Sequence, residues 1–150
     1  MGRRFGSGQI NTHSQIYLTH LEAFVEIAMP KIRFQTSKKT VEFPDGEDVN
    51  ILRVSIRGEC GVPWRCASGN CGTDRILIKE GSEYLSTPRR RERERLGELI
   101  QQGYRLACQT YTKGDVTIEW DPTQKGLDED SAAGKRLKAF WMQADIPGEE

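Results

Sequence analysis

The sequence predicts an α+β fold with one core of roughly 90 to 110 residues and an extension at each end. Three observations carry this. Segments alternating apolar and polar residues open and close the central region, two stretches between them carry helix start and stop signals, and a loop rich in glycine and cysteine separates the first helix from the next strand. The resulting order is ββαβ followed by αββ. The 150-residue chain is expected to divide into an N-terminal extension (residues 1–29), a core domain (30–121), and a C-terminal linker with an amphipathic helix (122–150).

Residues 1–15 are rich in Gly, Ser, Asn and Gln and are expected to be poorly ordered. From Ile16 to Ala28 the apolar residues follow helical spacing until Met29-Pro30. Lys31 to Gln35 and Thr40 to Phe43 read as a hairpin turning at Ser37-Lys38-Lys39. Val49, Leu52, Val54 and Ile56 predict a helix capped by Asp45 or Asp48 and ended by a left-handed Gly58. After the Cys-rich loop, Arg75 to Lys79 is a strand. Thr87 as N-cap and Pro88 in the first turn predict a helix running to about Gly103. Tyr104 to Thr110 and Asp115 to Trp120 are the last strands, separated at Lys113-Gly114, and Leu137, Phe140, Trp141 and Ala144 form one stripe of the terminal helix.

A hydrophobic content of 36%, a charged content of 29% and zero net charge describe a chain with a modest core and no surplus of positive charge for nucleic acid. No apolar run approaches the ~20 residues of a membrane span. The basic start has no apolar stretch behind it, so the expectation is a cytoplasmic chain without an export signal. Four cysteines in such a compartment point to metal or cluster binding before disulfides.

The cysteines are Cys60, Cys66, Cys71 and Cys108. Small residues at Ala67, Ser68 and Gly69 let backbone approach a bound group closely. Val62-Pro63-Trp64-Arg65-Cys66, then Ala67-Ser68-Gly69-Asn70-Cys71-Gly72-Thr73, and the distant Arg105-Leu106-Ala107-Cys108-Gln109 together resemble the plant-type and bacterial [2Fe-2S] ferredoxins over residues 30–121. The resemblance implies a β-grasp (ubiquitin-like) fold, a [2Fe-2S] cluster held by four protein ligands, and one-electron transfer between a reductase and an acceptor enzyme, without catalysis. Cys66, Cys71 and Cys108 match the pattern, but Asp74 stands where the family has its third cysteine.

Two residues compete for the remaining ligand position. Asp74 has the matching position. Cys60 has the softer donor that iron–sulfur centres usually take, and the reading favours it. Against Cys60 stands its tendency to fill a core; against Asp74, the ordinary behaviour of a solvated residue at a strand start. If Asp74 binds, its harder oxygen favours the oxidised cluster and a lower potential.

Arg89 to Arg95 is the densest charge run, with Arg89 and Arg93, or Arg91 and Arg95, on shared faces. It reads first as a solvated helix face and second as a docking patch for an acidic redox partner. Trp64 is expected to shield the cluster from water. The Phe140-Trp141 helix either folds back or binds a partner, and His13 and His20 are expected to be surface residues. Alternatives to the carrier are a redox-sensing protein that regulates or protects a partner enzyme and, with less support from the C-x5-C-x4-C spacing, a structural zinc protein.

Overall fold

The computed structural model describes residues 29–67 and 69–143. The expected helix from Ile16 to Ala28, His13, His20 and Ala144 fall outside those residues.

Alternation in the first segment builds β1 (Lys31–Phe34), in which Ile32 and Phe34 are fully buried and Arg33 faces out. The hairpin forms as expected, with β2 (Lys39–Glu42) antiparallel to β1 and Lys38 left-handed in the turn. Val116 and Ile118 are the buried positions of β7 (Val116–Glu119), which lies parallel to β1 and antiparallel to β4 (Arg75–Glu80). With β5 (Tyr104–Leu106) on the far side of β4, the five-stranded sheet has the order β2-β1-β7-β4-β5. A second, two-stranded sheet joins β3 (Val49–Asn50) to β6 (Tyr111–Thr112). This mixed sheet, with helices packed on it, is a β-grasp arrangement.

Helix α1 (Ile51–Arg57) contributes Ile51, Leu52 and Ile56 to the same core as Ile32, Phe34, Ile76 and Ile118. Its cap is Asn50, not Asp45 or Asp48, and the Asn50 Oδ1 accepts from Arg53 N at 3.0 Å. Asn50, the last residue of β3, directly precedes Ile51 and so stands at the helix start, while the aspartates lie farther upstream. Gly58 is not left-handed (φ −87°). It is small because a Cβ there would sit 2.9 Å from Val41 Cγ2 and 3.0 Å from Cys60 Sγ.

The second helix also starts later than expected. α2 (Arg90–Leu96) is capped by backbone at Arg89, whose N–H donates to the Glu92 carboxylate at 2.9 Å, rather than by Thr87 and Pro88. After Leu96 the chain tightens into a 3₁₀ stretch, Gly97–Gln102, that closes at the left-handed Gly103. The strand predicted from Tyr104 to Thr110 is interrupted by a 3₁₀ turn, Ala107–Gln109, as the chain leaves the large sheet for the small one.

Helix α3 (Ala132–Gln143) turns back on the fold. Leu137 and Trp141 pack against the core, whereas Phe140 and Met142 are exposed, and Arg57 Nη2 donates to Met142 O at 3.3 Å. The linker before it meets the Cys-rich loop directly. Leu127 N donates to Trp64 O at 2.6 Å, and the Trp64 indole N–H donates to Glu129 Oε1 at 3.0 Å. Gly126 permits this approach, since a Cβ there would be 2.8 Å from Trp64 N. Among the described residues no helix is long and apolar enough to cross a membrane.

Candidate metal centre

The loop between α1 and β4 carries Cys66 and Cys71, whose sulfurs lie 3.1 Å apart. Its backbone bends through left-handed residues at Ala67, Gly69 and Gly72. Turns of this kind form concavities where backbone N–H groups collect around anions. Gly69 also has to be small: a Cβ would fall 3.2 Å from Arg91 Cβ and from the Gln109 side chain, so the loop is pressed between α2 and the 107–109 turn. Cys71 is exposed and Cys66 half-buried.

Asp74 and Cys108 form a second pair, and both are buried. Cys108 N donates to Asp74 Oδ2 at 2.5 Å, and Ala107 N donates to Asp74 O at 3.0 Å. Burial raises the Asp74 carboxyl above the usual range, outweighing the hydrogen bonds from Cys108 that favour its charge, and Glu92 adds to the rise. Burial likewise raises the Cys108 thiol far above its usual value, with the Asp74 carboxylate and Cys66 pushing the same way. Gln109 Nε2 donates to Cys108 Sγ at 3.6 Å.

Cys60 is elsewhere. Its sulfur packs under the end of α1, against Gly58, with its N–H donating to Ser55 O at 2.8 Å. It is 1% exposed, and burial raises its thiol while nearby Lys39 partly opposes the rise. The groups that act on Cys108 include Asp74 and Cys66, and those that act on Cys60 include neither.

The 105–110 segment is held by Glu92, which sequence reasoning placed on a solvated helix face. The structure corrects this: Glu92 is 0% exposed. Its carboxylate accepts from Arg105 Nε at 2.8 Å and Nη2 at 3.1 Å, from Leu106 N at 3.2 Å, and lies 3.1 Å from Thr110 Oγ1. An unpaired buried carboxylate would be costly, and the bidentate arginine answers that cost. Asn50 completes the hold, since its Nδ2 donates to Cys108 O at 2.9 Å while its Oδ1 caps α1. Asn50, Glu92 and Arg105 were all missed as site residues; the sequence signal was faint, a Glu three positions into a helix and an Asn before one.

A [2Fe-2S] centre needs two protein ligands on each of two irons, mostly thiolates. The donor set fits that requirement in kind and grouping: Cys66 with Cys71, and Cys108 with a carboxyl that burial alone leaves expensive to ionise. No three His, Cys, Asp or Glu side chains among the described residues are gathered to hold a single metal ion.

Residues 33–113, just over half of the chain, match the 2Fe-2S iron-sulfur cluster binding domain family. The chain belongs to that family. Its cofactor is a [2Fe-2S] cluster, and the β-grasp fold expected from the resemblance is the family's fold. A ferredoxin from Bacillus thermotolerans is 32% identical over 60 residues, which cover 40% of this chain and 49% of the relative; the chain thus spans about half the length of this curated relative. Among solved structures, a reductive activator for corrinoid, iron-sulfur protein is 26% identical with a TM-score of 0.51, covering 66% of this chain and 15% of that one. The Amycolatopsis cytochrome P450 reductase GcoB is 21% identical with a TM-score of 0.50, covering 65% and 27%, and shares the fold.

Proposed function

We propose that this ferredoxin-family protein is a one-electron carrier between a reductase and an acceptor enzyme, and that its cluster is held by Cys66, Cys71, Cys108 and Asp74. When bound, the cluster accepts and returns one electron. The single observation behind the ligand choice is the contact of Asp74 with Cys108, two buried groups facing each other, while Cys60 is buried against Gly58 on the other side of the loop. This reverses the preference for Cys60 that thiolate softness suggested. Position in the fold outweighs donor softness here, because Cys60 would have to leave a packed site under α1 to reach the other sulfurs.

The chain's own residues divide the remaining work. Cys71, exposed at the loop, is open to a redox partner. Glu92, Arg105 and Asn50 hold the Cys108 segment still, so that little rearranges when charge changes. Trp64, 1% exposed, excludes water from the loop's approach. The cluster-bearing unit in this reading is residues 30–121, and the bonds from Leu127 and Glu129 to Trp64 make part of 122–150 a brace on it. Membership of a 2Fe-2S cluster binding family supports redox partners and the role of an electron carrier rather than a catalyst. The place of action is read as the cytoplasm.

Replacing Asp74 and Cys60 separately tests the ligand assignment. Asp74→Ala is expected to lose or rearrange the visible iron–sulfur spectrum, and Cys60→Ser to retain it with full iron content. The reverse pattern would overturn the assignment. Asp74→Cys is expected to keep the cluster and raise its reduction potential in protein-film voltammetry, since a softer thiolate replaces an oxygen donor that favours ferric iron. For the carrier role, the reduced protein is expected to pass its electron to an added acceptor and return to the oxidised spectrum unchanged; failure to cycle would sink it.

A further inference from the structure

We propose that the arginine-rich outer face of α2, together with Arg65, is a docking surface for an acidic one-electron redox protein, positioned against the cluster loop. The inference rests on the carrier reading above and adds the charge of the partner. Two observations carry it. The first is placement: Gly69, between Cys66 and Cys71, is pressed so closely on Arg91 Cβ that a methyl group would be 3.2 Å away, so α2 borders the loop that carries the exposed Cys71. Arg65, next to Cys66, is exposed on the same loop.

The second is charge. In sequence the run alternates arginine with glutamate and reads as self-compensating. The fold removes Glu92 from the surface and pairs it with Arg105, a residue from outside the helix. Within α2 this leaves Glu94, which engages Arg90 at 3.4 Å in an exposed pair of the kind that contributes little. Arg93 and Arg95 are exposed, and Arg93 Nη1 donates to Pro88 O. Arg89 lies over the Tyr111 ring at 4.9 Å, which leaves its charge in place while fixing its direction. A chain of zero net charge therefore concentrates positive charge beside its exposed ligand cysteine. Such a field accelerates encounter with an anionic surface and slows encounter with a cationic one.

Two probes of opposite charge test the surface: flavodoxin, an acidic one-electron carrier, and cytochrome c, a basic one. The dithionite-reduced, iron-loaded full chain is mixed with each in a stopped-flow instrument across a salt series. Each turnover moves one electron from the reduced protein to the probe. The flavodoxin rate constant is expected to fall steeply with salt and to drop roughly tenfold at low salt in Arg93→Glu/Arg95→Glu, whose visible spectrum should match the parent's. The cytochrome c rate is expected to rise with salt and to rise in the same variant. Flavodoxin rates indifferent to both salt and charge reversal, or a wild-type rate with cytochrome c that falls with salt, would overturn the proposal. Isothermal titration of flavodoxin into the oxidised protein decides the surface without any electron transfer: salt-sensitive binding weakened in the variant supports it, and no binding at low salt refutes it. A protein that binds flavodoxin but reduces neither probe keeps the surface and loses the carrier reading.

Discussion

The two halves of the metal centre are built on opposite principles. Cys66 and Cys71 stand on a loop whose shape comes from left-handed backbone at Ala67, Gly69 and Gly72, and one of the two sulfurs is open to solvent. Asp74 and Cys108 stand where β4 begins and β5 ends, both buried, tied to each other and to a web through Glu92, Arg105 and Asn50. The loop half offers access. The scaffold half offers a fixed geometry, since Asn50 and Glu92 tie the Cys108 segment to β3 and α2. If these are the two ligand pairs of a carrier, as proposed above, the division lets a partner touch one without loosening the other.

Glu92 is the most sensitive point of the scaffold half. Glu92→Ala strands Arg105 in the core, and losing one member of a buried pair costs about 3–5 kcal/mol. Urea unfolding of the iron-loaded protein is expected to show that loss, with cluster release at lower urea than in the parent; a change under about 1 kcal/mol would mean the web contributes little, against the usual cost of a broken buried pair. Asn50 separates two contributions. Asn50→Ala forfeits the cap, worth about 1 kcal/mol, and also the bond to Cys108 O. Asn50→Asp keeps the cap acceptor but sets a carboxylate oxygen against Cys108 O in place of the donor, so it should spare the helix start while still shifting the visible spectrum. Equal spectra in parent and Asn50→Asp would show that the amide has no influence on Cys108.

The smallest effect belongs to the loop half and its brace. Burial works to raise the Glu129 carboxyl, but the hydrogen bonds from Lys138 and Trp64 and the Lys138 charge prevail, and its pKa lies below the usual value. A carboxyl lowered on folding stabilises the fold above its ordinary pKa, and that stabilisation disappears as pH falls through the folded value. Lys138 is raised chiefly by its bond to Glu129, so its contribution is complete at neutral pH and lost only as strongly alkaline pH is reached. Trp64 fluorescence is therefore expected to change at acid pH in the parent, and Glu129→Gln should abolish that step while leaving the cluster spectrum near neutral pH intact. An acid step of the same size in Glu129→Gln would assign it to another group.

Much of the fold was legible because its cues are local. Ile32 and Phe34, or Val116 and Ile118, alternate with polar neighbours and need no partner to be read as strands. The helix starts were misread for two reasons: Asn50 caps through a local bond to Arg53 N that upstream aspartates could equally have suggested, whereas Glu92 draws in Arg105 across 13 positions of sequence. The break in the Tyr104 to Thr110 strand has the second origin, since nothing in its residues says that two sheets must share it. The loop cysteines and Cys108 carried a family pattern, but the separation of Cys60 from them depends on Gly58 packing, which spacing does not encode.

The parallel pairing of β1 with β7 sets an order on assembly. The first strand of the sheet has its neighbour more than 80 positions later, beyond the end of the family match at residue 113. During synthesis β4, which Asp74 adjoins, lacks one of its two flanking strands until residue 119 has emerged, and the Cys66–Cys71 loop lacks its supports on α2, the 107–109 turn and Leu127 until those residues follow. Contacts of such long range slow folding. If Cys66, Cys71, Cys108 and Asp74 are the ligands as proposed, iron delivered early would meet only the two loop thiolates, and the finished sheet would bring in the other two donors, so cluster insertion is expected late in the life of the nascent chain.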